Sequence, residues 1–292
     1  MDFGRVITAM VTPFDENLNV NHDVLSELAN NLIAHGSDSL VVCGTTGESP
    51  TLSKSEKIEM FETVVNAVKG KVPVIAGTGS YSTKDSIELS KEAERVGAQG
   101  LLLVVPYYNK PPQYALYEHF KAIAEAVHLP IILYNVPGRT VRNMEPETVI
   151  KLSEIDNIVG IKEAAGDMDQ VTAIKAGVDD DFRIYSGDDS MTLPMLSVGG
   201  YGVVSVCSHL VGNDIKKMIS AYVEGKVQQA ASLHLKLFKL FKTMFITTNP
   251  MPLKYALNLT GWDVGGYRPP MYEIQENHKE AVKSVLDELN LI

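Results

Sequence analysis

Cysteine is scarce in this sequence, and positive charge is outnumbered. Two cysteines among 292 residues are too few for a disulfide framework. Cys43 and Cys207 each lie in an apolar run, VVCG and VVSVCS, which predicts buried thiols of no chemical role; a catalytic thiol is the minor alternative. The formal charge of -10 argues against a nucleic-acid or anionic-membrane partner, since both need a clustered positive surface. It leaves an anionic substrate open, because a site is set by its local charge. The seven histidines are scattered and none has HExxH spacing, so no metal site is expected. No apolar run approaches the ~18 residues of a membrane span, and the start MDFGRVITAM lacks a basic-then-apolar leader. The expectation is a soluble, cytoplasmic protein. With 45 % hydrophobic and 21 % charged residues, the chain has the composition of a packed globular protein and not of a disordered or fibrous one.

What is present is a repeat of short apolar runs at intervals of roughly 30 residues. They are VITAM at 6–10, SLVVC at 39–43, VPVIAG at 72–77, GLLLVV at 100–105, PIILYN at 130–135, NIVGIK at 157–162, FRIYSG at 182–187 and YGVVSV at 201–206. Each is apolar almost continuously, as strands covered on both faces are. Stretches of helical period separate them. Asn21 is positioned to cap VNHDVLSELANNLIAHG, whose Val24, Leu28 and Leu32 form a stripe before Gly36. Ser53 with Glu56 three residues on makes a capping box, and Gly70 supplies the stop. Thr83 opens a further helix that Gly97 ends. Eight such units predict a closed (β/α)8 barrel over residues 1–225.

No strand follows residue 206, so 226–292 reads as a C-terminal helical extension of the barrel and not as a second catalytic domain. Its first helix gathers Leu233, Leu237, Leu240, Phe241, Met244 and Phe245 on one side, with Lys236, Lys239 and Lys242 mostly off that face. A basic membrane-surface helix has the same pattern. Packing on the barrel or on a neighbouring subunit needs that stripe equally and is the favoured reading. Two more helices are expected near 250–259 and 274–289.

Barrel enzymes bind substrate at the C-terminal ends of their strands. Lys162 ends the sixth strand, followed at once by Glu163. In a low-dielectric mouth the ammonium form of a lysine is disfavoured, and a free amine attacks ketones. A structural ion pair, with Glu163 for example, is the equal alternative from position alone. Tyr134 ends the fifth strand and projects toward the sixth, where its hydroxyl can shuttle protons or its ring can simply pack. Thr45 and Thr46 follow the second strand in CGTTGESP, a turn that Gly44 and Gly47 allow to be tight and whose hydroxyls and N–H groups suit a carboxylate or phosphate. Tyr107 and Tyr108, beyond strand four and stiffened by Pro106, Pro111 and Pro112, read as an interface or binding surface. Arg139 offers a guanidinium fork to a carboxylate, or merely closes a turn. Gly187 leaves room for a ligand after strand seven. An amine, a hydroxyl relay and two carboxylate receptors at one mouth point to an oxo-acid substrate.

The ordered segments CGTTGESPTLS, VIAGTGS, VPYYNKPPQ, IILYNVPGRT, IVGIKEAAGD, YSGDD, GGYGVVSV and TNPMPLKYAL carry a resemblance to a known family. The chain closely resembles, over essentially its whole length, the dihydrodipicolinate synthase family of the pyruvate-dependent Schiff-base lyases and aldolases. The resemblance implies that Lys162 forms an imine with pyruvate and that Tyr134 relays protons with Thr45. It implies that Tyr108 completes the relay from a partner subunit, so that the protein is at least a dimer, often a tetramer in this family. Thr46 would hold the pyruvate carboxylate, Gly187 and the carbonyl side of Val204 would line its pocket, and Arg139 would receive the carboxylate of L-aspartate 4-semialdehyde. No cofactor or metal is implied, and the reaction opens the diaminopimelate route to lysine.

The chain departs from its relatives in three places. Val141 stands where GRTG is common, and Cys207, Ser208 and His209 stand where Thr-Ala-Asn is usual. Lysine-inhibited members resemble one another in having histidines after the GTTGES turn and an asparagine and glutamate further on. Lys54, Lys57, Tyr81 and Asp85 occupy those positions here, and two cations would repel a cationic effector. Two rival functions are another pyruvate aldolase acting on a sugar-acid aldehyde and a catalytically silent oxo-acid-binding barrel.

Overall fold

A computed structural model describes residues 2–292. Eight parallel strands close into one barrel in sequence order: β1 (Val6–Ala9), β2 (Ser39–Val42), β3 (Val74–Gly77), β4 (Gly100–Val104), β5 (Ile131–Asn135), β6 (Ile158–Glu163), β7 (Arg183–Ser186) and β8 (Gly202–Ser205). The predicted (β/α)8 barrel is therefore the fold; seven of the predicted apolar runs contain a strand whole, and the eighth, 157–162, falls one residue short of the end of β6 at Glu163. Successive side chains on a strand point to opposite faces. Ile7, Val41, Ile75, Leu102, Ile132, Tyr185 and Val204 accordingly fill the barrel interior. Their neighbours Val6, Leu40, Val74, Leu101, Ile131, Ile161 and Val203 pack outward against the helices.

The helices of the first half are α1 (His22–Ala34), α2 (Lys54–Val68), α3 (Thr83–Arg95) and α4 (Gln113–Ala124). The expected caps are present. Asn21 accepts from the Val24 amide at 3.1 Å, and Ser53 and Glu56 form the reciprocal capping box at the start of α2. The cap of α3 is Ser82, whose hydroxyl accepts from the Asp85 amide, one residue before the predicted opening. In α1 the buried face runs through Leu25, Leu28, Ala29 and Leu32, while Val24 is only half-buried. The buried set follows the i, i+3, i+4 spacing of one helix face, so Leu25 and Ala29 belong to it and Val24 lies at its edge.

The second half contains α5 (Pro137–Thr140), α6 (Pro146–Ser153), α7 (Met168–Gly177), α8 (Thr192–Ser197) and α9 (Ser208–Val223), and the C-terminal extension contains α10 (Val227–Thr243), α11 (Met251–Leu259) and α12 (Glu276–Glu288). Leu237, Leu240, Phe241 and Met244 are buried where α10 packs on α9 and α12, and Lys236, Lys239 and Lys242 are exposed. Leu233 is half-buried. Phe245 departs from the predicted stripe: it lies past the last helical turn, where the chain bends, and its ring reaches the barrel mouth. Among the described residues no helix is long and apolar enough to cross a membrane. The extension is bolted to the barrel by Arg268, whose guanidinium donates to both carboxylate oxygens of Glu56 at 2.6 and 3.1 Å and to the Leu18 and Thr51 carbonyls. That pairing holds the Glu56 carboxyl down at about 2.

Candidate active site

The register of the sheet assembles the mouth. Tyr134 of β5 pairs with Lys162 of β6, and Asn135 pairs with Glu163. Alternation then turns Tyr134 and Lys162 inward together and Asn135 and Glu163 outward together. Both inward side chains are buried, and Lys162 Nζ lies 4.2 Å from the centre of the Tyr134 ring. Among the described residues Nζ has neither an ion-pair nor a hydrogen-bond partner. The ion pair with Glu163 does not form. Glu163 faces the helix layer, where its carboxylate accepts from Asn135 Nδ2, Gln170 Nε2 and the Ala165 amide at 2.7 to 3.1 Å. Burial pushes its carboxyl up, against the pull of those donors.

Lys162 opens into a cavity of about 590 Å³ walled by Thr45, Thr46, Tyr134, Arg139, Gly187 and Val206, among others. A second hollow of about 210 Å³ continues from it past Thr45, Tyr134 and Arg139 toward Tyr107 and Gly79. Five of the eight residues singled out from the sequence therefore share one cavity with Lys162. Gly187 is required there: a Cβ on it would sit 2.6 Å from the Ala164 Cβ and 3.2 Å from Lys162 Cε. Thr46 is buried, and its hydroxyl accepts from Asn249 Nδ2 at 2.9 Å. Arg139, exposed on the one-turn helix α5, reaches the Asn249 carbonyl at 3.4 Å.

Two of the eight lie elsewhere. Val204 is in the barrel interior, and the cavity wall at the end of β8 is Val206, two residues further on. Tyr108 is 92 % exposed with φ +72°, and its ring lies outside its own chain's cavity. Its neighbour Tyr107 lines the inner hollow and meets Tyr81 edge-on at 5.3 Å.

The structure adds residues that the sequence pattern does not single out. The extension contributes Phe245, Thr247, Thr248 and Asn249 to the cavity wall. The one signal for them is TNPMPL, a polar, proline-broken interruption between two helical patterns. Asp189, fully buried after β7, accepts from Ser205 Oγ at 2.5 Å and from the Val206 and Cys207 amides at 3.1 Å, so it fixes the end of β8. Asn135 also binds the Met144 amide and Asn143, tying down the loop that carries Arg139.

The departures from the family pattern find physical explanations. Val141 sits at φ +58°, a left-handed conformation that β-branched residues rarely adopt and that a glycine would take without strain. Cys207, Ser208 and His209 face away from the cavity. The Ser208 hydroxyl meets that of Thr8 at 2.7 Å, and the His209 ring accepts from the Val11 amide while donating to the Val206 carbonyl. Burial pulls that histidine down to about 4, so it is neutral at pH 7. Both cysteines are buried, and burial pushes the Cys43 thiol up to about 12, far from a thiolate at neutral pH. Among the described residues no group of three or more His, Cys, Asp and Glu side chains is placed to hold a metal ion.

A partnerless primary amine at the floor of a barrel mouth, flanked by a phenol, defines a barrel of the imine-forming kind. The family model for the Dihydrodipicolinate synthetase family matches residues 2–289, and the chain belongs to that family. It is 56 % identical over 292 residues to the 4-hydroxy-tetrahydrodipicolinate synthase of Desulforudis audaxviator, covering all of this chain and 99 % of that one. Among solved structures, a dihydrodipicolinate synthase of Bacillus anthracis superposes with a TM-score of 0.96 at 48 % identity, covering 98 % of each chain. That of Cyanidioschyzon merolae, solved with lysine bound, superposes with a TM-score of 0.98 at 47 % identity, covering 99 % of each.

Proposed function

We propose that this chain condenses pyruvate with L-aspartate 4-semialdehyde through an imine on Lys162, the 4-hydroxy-tetrahydrodipicolinate synthase reaction and the committed step toward diaminopimelate and lysine. The observation that carries the reading is the Lys162 amine, buried against Tyr134 with no counter-ion, opening into the cavity that Thr45, Thr46 and Arg139 share. The full-length similarity to enzymes of this activity supports the same reading.

In this mechanism Nζ adds to the ketone carbon of pyruvate, and the carbonyl oxygen takes a proton by way of Tyr134. Loss of water from the carbinolamine leaves an iminium. The iminium draws electrons from the methyl group, which sheds a proton to become an enamine. The enamine carbon attacks the aldehyde of the semialdehyde, whose oxygen is protonated. The substrate's own amino group then displaces Nζ as the ring closes, returning Lys162 free. Thr46 holds the pyruvate carboxylate, Thr45 passes protons with Tyr134, Gly187 gives the ketone room, and Arg139 receives the semialdehyde carboxylate as a two-point anion receptor.

Tyr108 acts in the site of a second copy of the chain. A ring 92 % exposed on a backbone held in the left-handed region is poised to enter a neighbour's mouth, and the assembly is at least a homodimer, with a tetramer the form common to the family. The domain division follows the same reading: a catalytic barrel over 1–225 and a helical extension over 226–292 that supplies one wall of the cavity.

The assay that tests this supplies pyruvate with either the semialdehyde or a sugar-acid aldehyde. The expected result is consumption of the semialdehyde at least about a hundredfold faster, in line with what a charged receptor such as Arg139 discriminates. Preference for the sugar acid would assign the chain to a sister activity. No consumption of either, with no borohydride-trapped pyruvate adduct, would leave a silent oxo-acid-binding barrel.

Lysine is expected to inhibit weakly or not at all, unlike a relative that holds it. Lys54 is paired with Glu88 at 2.9 Å and Lys57 is partly buried nearby, while Tyr81 is engaged by Tyr107. A lysine ammonium would meet like charge where its partners should be. Titrating the condensation with millimolar lysine checks this, and half-inhibition below about 1 mM would contradict it.

A further inference from the structure

Thr45 and Thr46 stand on a turn that is gripped from below. The Thr12 hydroxyl donates to the Gly47 carbonyl at 2.5 Å, and Glu48, the next residue, has φ +54° without being glycine. A non-glycine residue stays in that region when its surroundings over-determine it. Here the side chain does so. Glu48 is buried, with one carboxylate oxygen 3.0 Å from Lys254 Nζ and the other accepting from the Arg268 amide at 3.2 Å. Lys254, in the middle of α11, is fully buried. Its ammonium also donates to the Thr12 and Gly266 carbonyls and lies 4.3 Å from the centre of the Phe14 ring. Neither Glu48 nor Lys254 lines the cavity.

A buried ion pair is a poor way to add stability, because desolvating both ions offsets most of their attraction. Burial pulls the Lys254 ammonium down to about 8 even with Glu48 beside it. What such a pair does well is hold one geometry. Of the groups it grips, two lead to the cavity: the backbone that carries Thr45 and Thr46, and the start of α11, where Asn249 lines the wall and donates to the Thr46 hydroxyl.

We propose that Lys254 and Glu48 are positioning residues for pyruvate binding: through this buried pair the C-terminal extension fixes the turn that presents Thr46 to the pyruvate carboxylate. The inference rests on the role given above to Thr46. It makes the extension part of the substrate-binding machinery at a distance, beyond the wall residues it contributes directly. Arg139, which receives the semialdehyde carboxylate, is carried by a different loop and meets the extension only through its 3.4 Å contact with the Asn249 carbonyl, so the effect on the second substrate is the smaller one.

Glu48→Gln, which keeps size and shape, tests this in the full-length protein by steady-state kinetics on both substrates and by borohydride trapping. The expected result is a pyruvate KM raised about tenfold, as for loss of one charge-assisted contact. The semialdehyde KM is expected to stay within about twofold, and the Lys162 adduct to reach full stoichiometry at saturating pyruvate. Lys254→Met is the second variant and should show the same split. A pyruvate KM within about twofold of the parent, or both KM values rising together as in a generally loosened fold, would overturn the proposal. Should Lys254→Met fail to fold, Glu48→Gln decides alone. A parent protein that forms no adduct at all would remove the underlying imine reading, a result distinct from an active parent with unaltered variants.

Discussion

Lys162→Ala is expected to lose condensation activity by on the order of 10⁴-fold or more in kcat/KM while the protein folds at least as well as its parent. The two halves of this expectation come from one observation. An amine at the barrel mouth that makes neither an ion pair nor a hydrogen bond lends no such contact to the fold, so its removal breaks none. Loss of the amine also removes the covalent electron sink, and no other side chain in the cavity can replace it. Arg139 is the other cation there, and a guanidinium cannot deprotonate to form an imine. Borohydride with pyruvate should add mass to the parent at Lys162 and nothing to the variant. Undiminished condensation by Lys162→Ala would end the imine account, and a collapse of thermal stability would mean that the lysine serves the fold.

Tyr134→Phe is expected to lower kcat by about 10²- to 10³-fold, the usual worth of a positioned general acid–base group. The substitution separates the two readings of this residue. The phenyl ring keeps the packing in the interior and the face presented to Lys162 Nζ at 4.2 Å, and only the hydroxyl is lost. That hydroxyl makes no hydrogen bond among the described residues, so no buried partner is orphaned and melting should shift by no more than a few degrees. Slower formation of the trapped adduct would locate the loss in carbinolamine dehydration. A variant with parental kcat would reduce Tyr134 to a packing residue and leave the proton transfers without a carrier.

Several features of the site are legible in the chain itself because they follow from strand chemistry. NIVGIK and PIILYN are apolar until they reach Lys162 and Tyr134, and in a parallel barrel residues at that end of a strand lie at the mouth. The turn CGTTGE announces itself by its glycines. Neighbouring placement of Lys162 and Tyr134 is legible only as adjacency of strands. That they face inward together depends on the register Tyr134 with Lys162, and a slip of one residue would have put Asn135 and Glu163 inside. The choice between nucleophile and ion pair hangs on strand alternation, which sends Glu163 to the face opposite Lys162, where it meets Asn135 and Gln170. The amphipathic helices of the extension mark it as an outer layer. Helical period reports which face of a helix is apolar, but says nothing of where an irregular connector runs, and Phe245 to Asn249 lie in such a connector.

The sequence by itself determined the eightfold strand–helix alternation, most of the buried helix faces and the strand-end polar residues Lys162 and Tyr134, because these depend on local periodicity and on chemistry carried by single side chains. Only the tertiary structure decided that Lys162 is without a counter-ion, that Val206 joins the cavity wall, and that Lys254 reaches Glu48 across 206 residues of chain. Those outcomes depend on which distant groups meet when the barrel closes. A pattern read along the chain carries no information about a pairing that exists only after closure, when burial makes each unmet charge costly and each satisfied one specific.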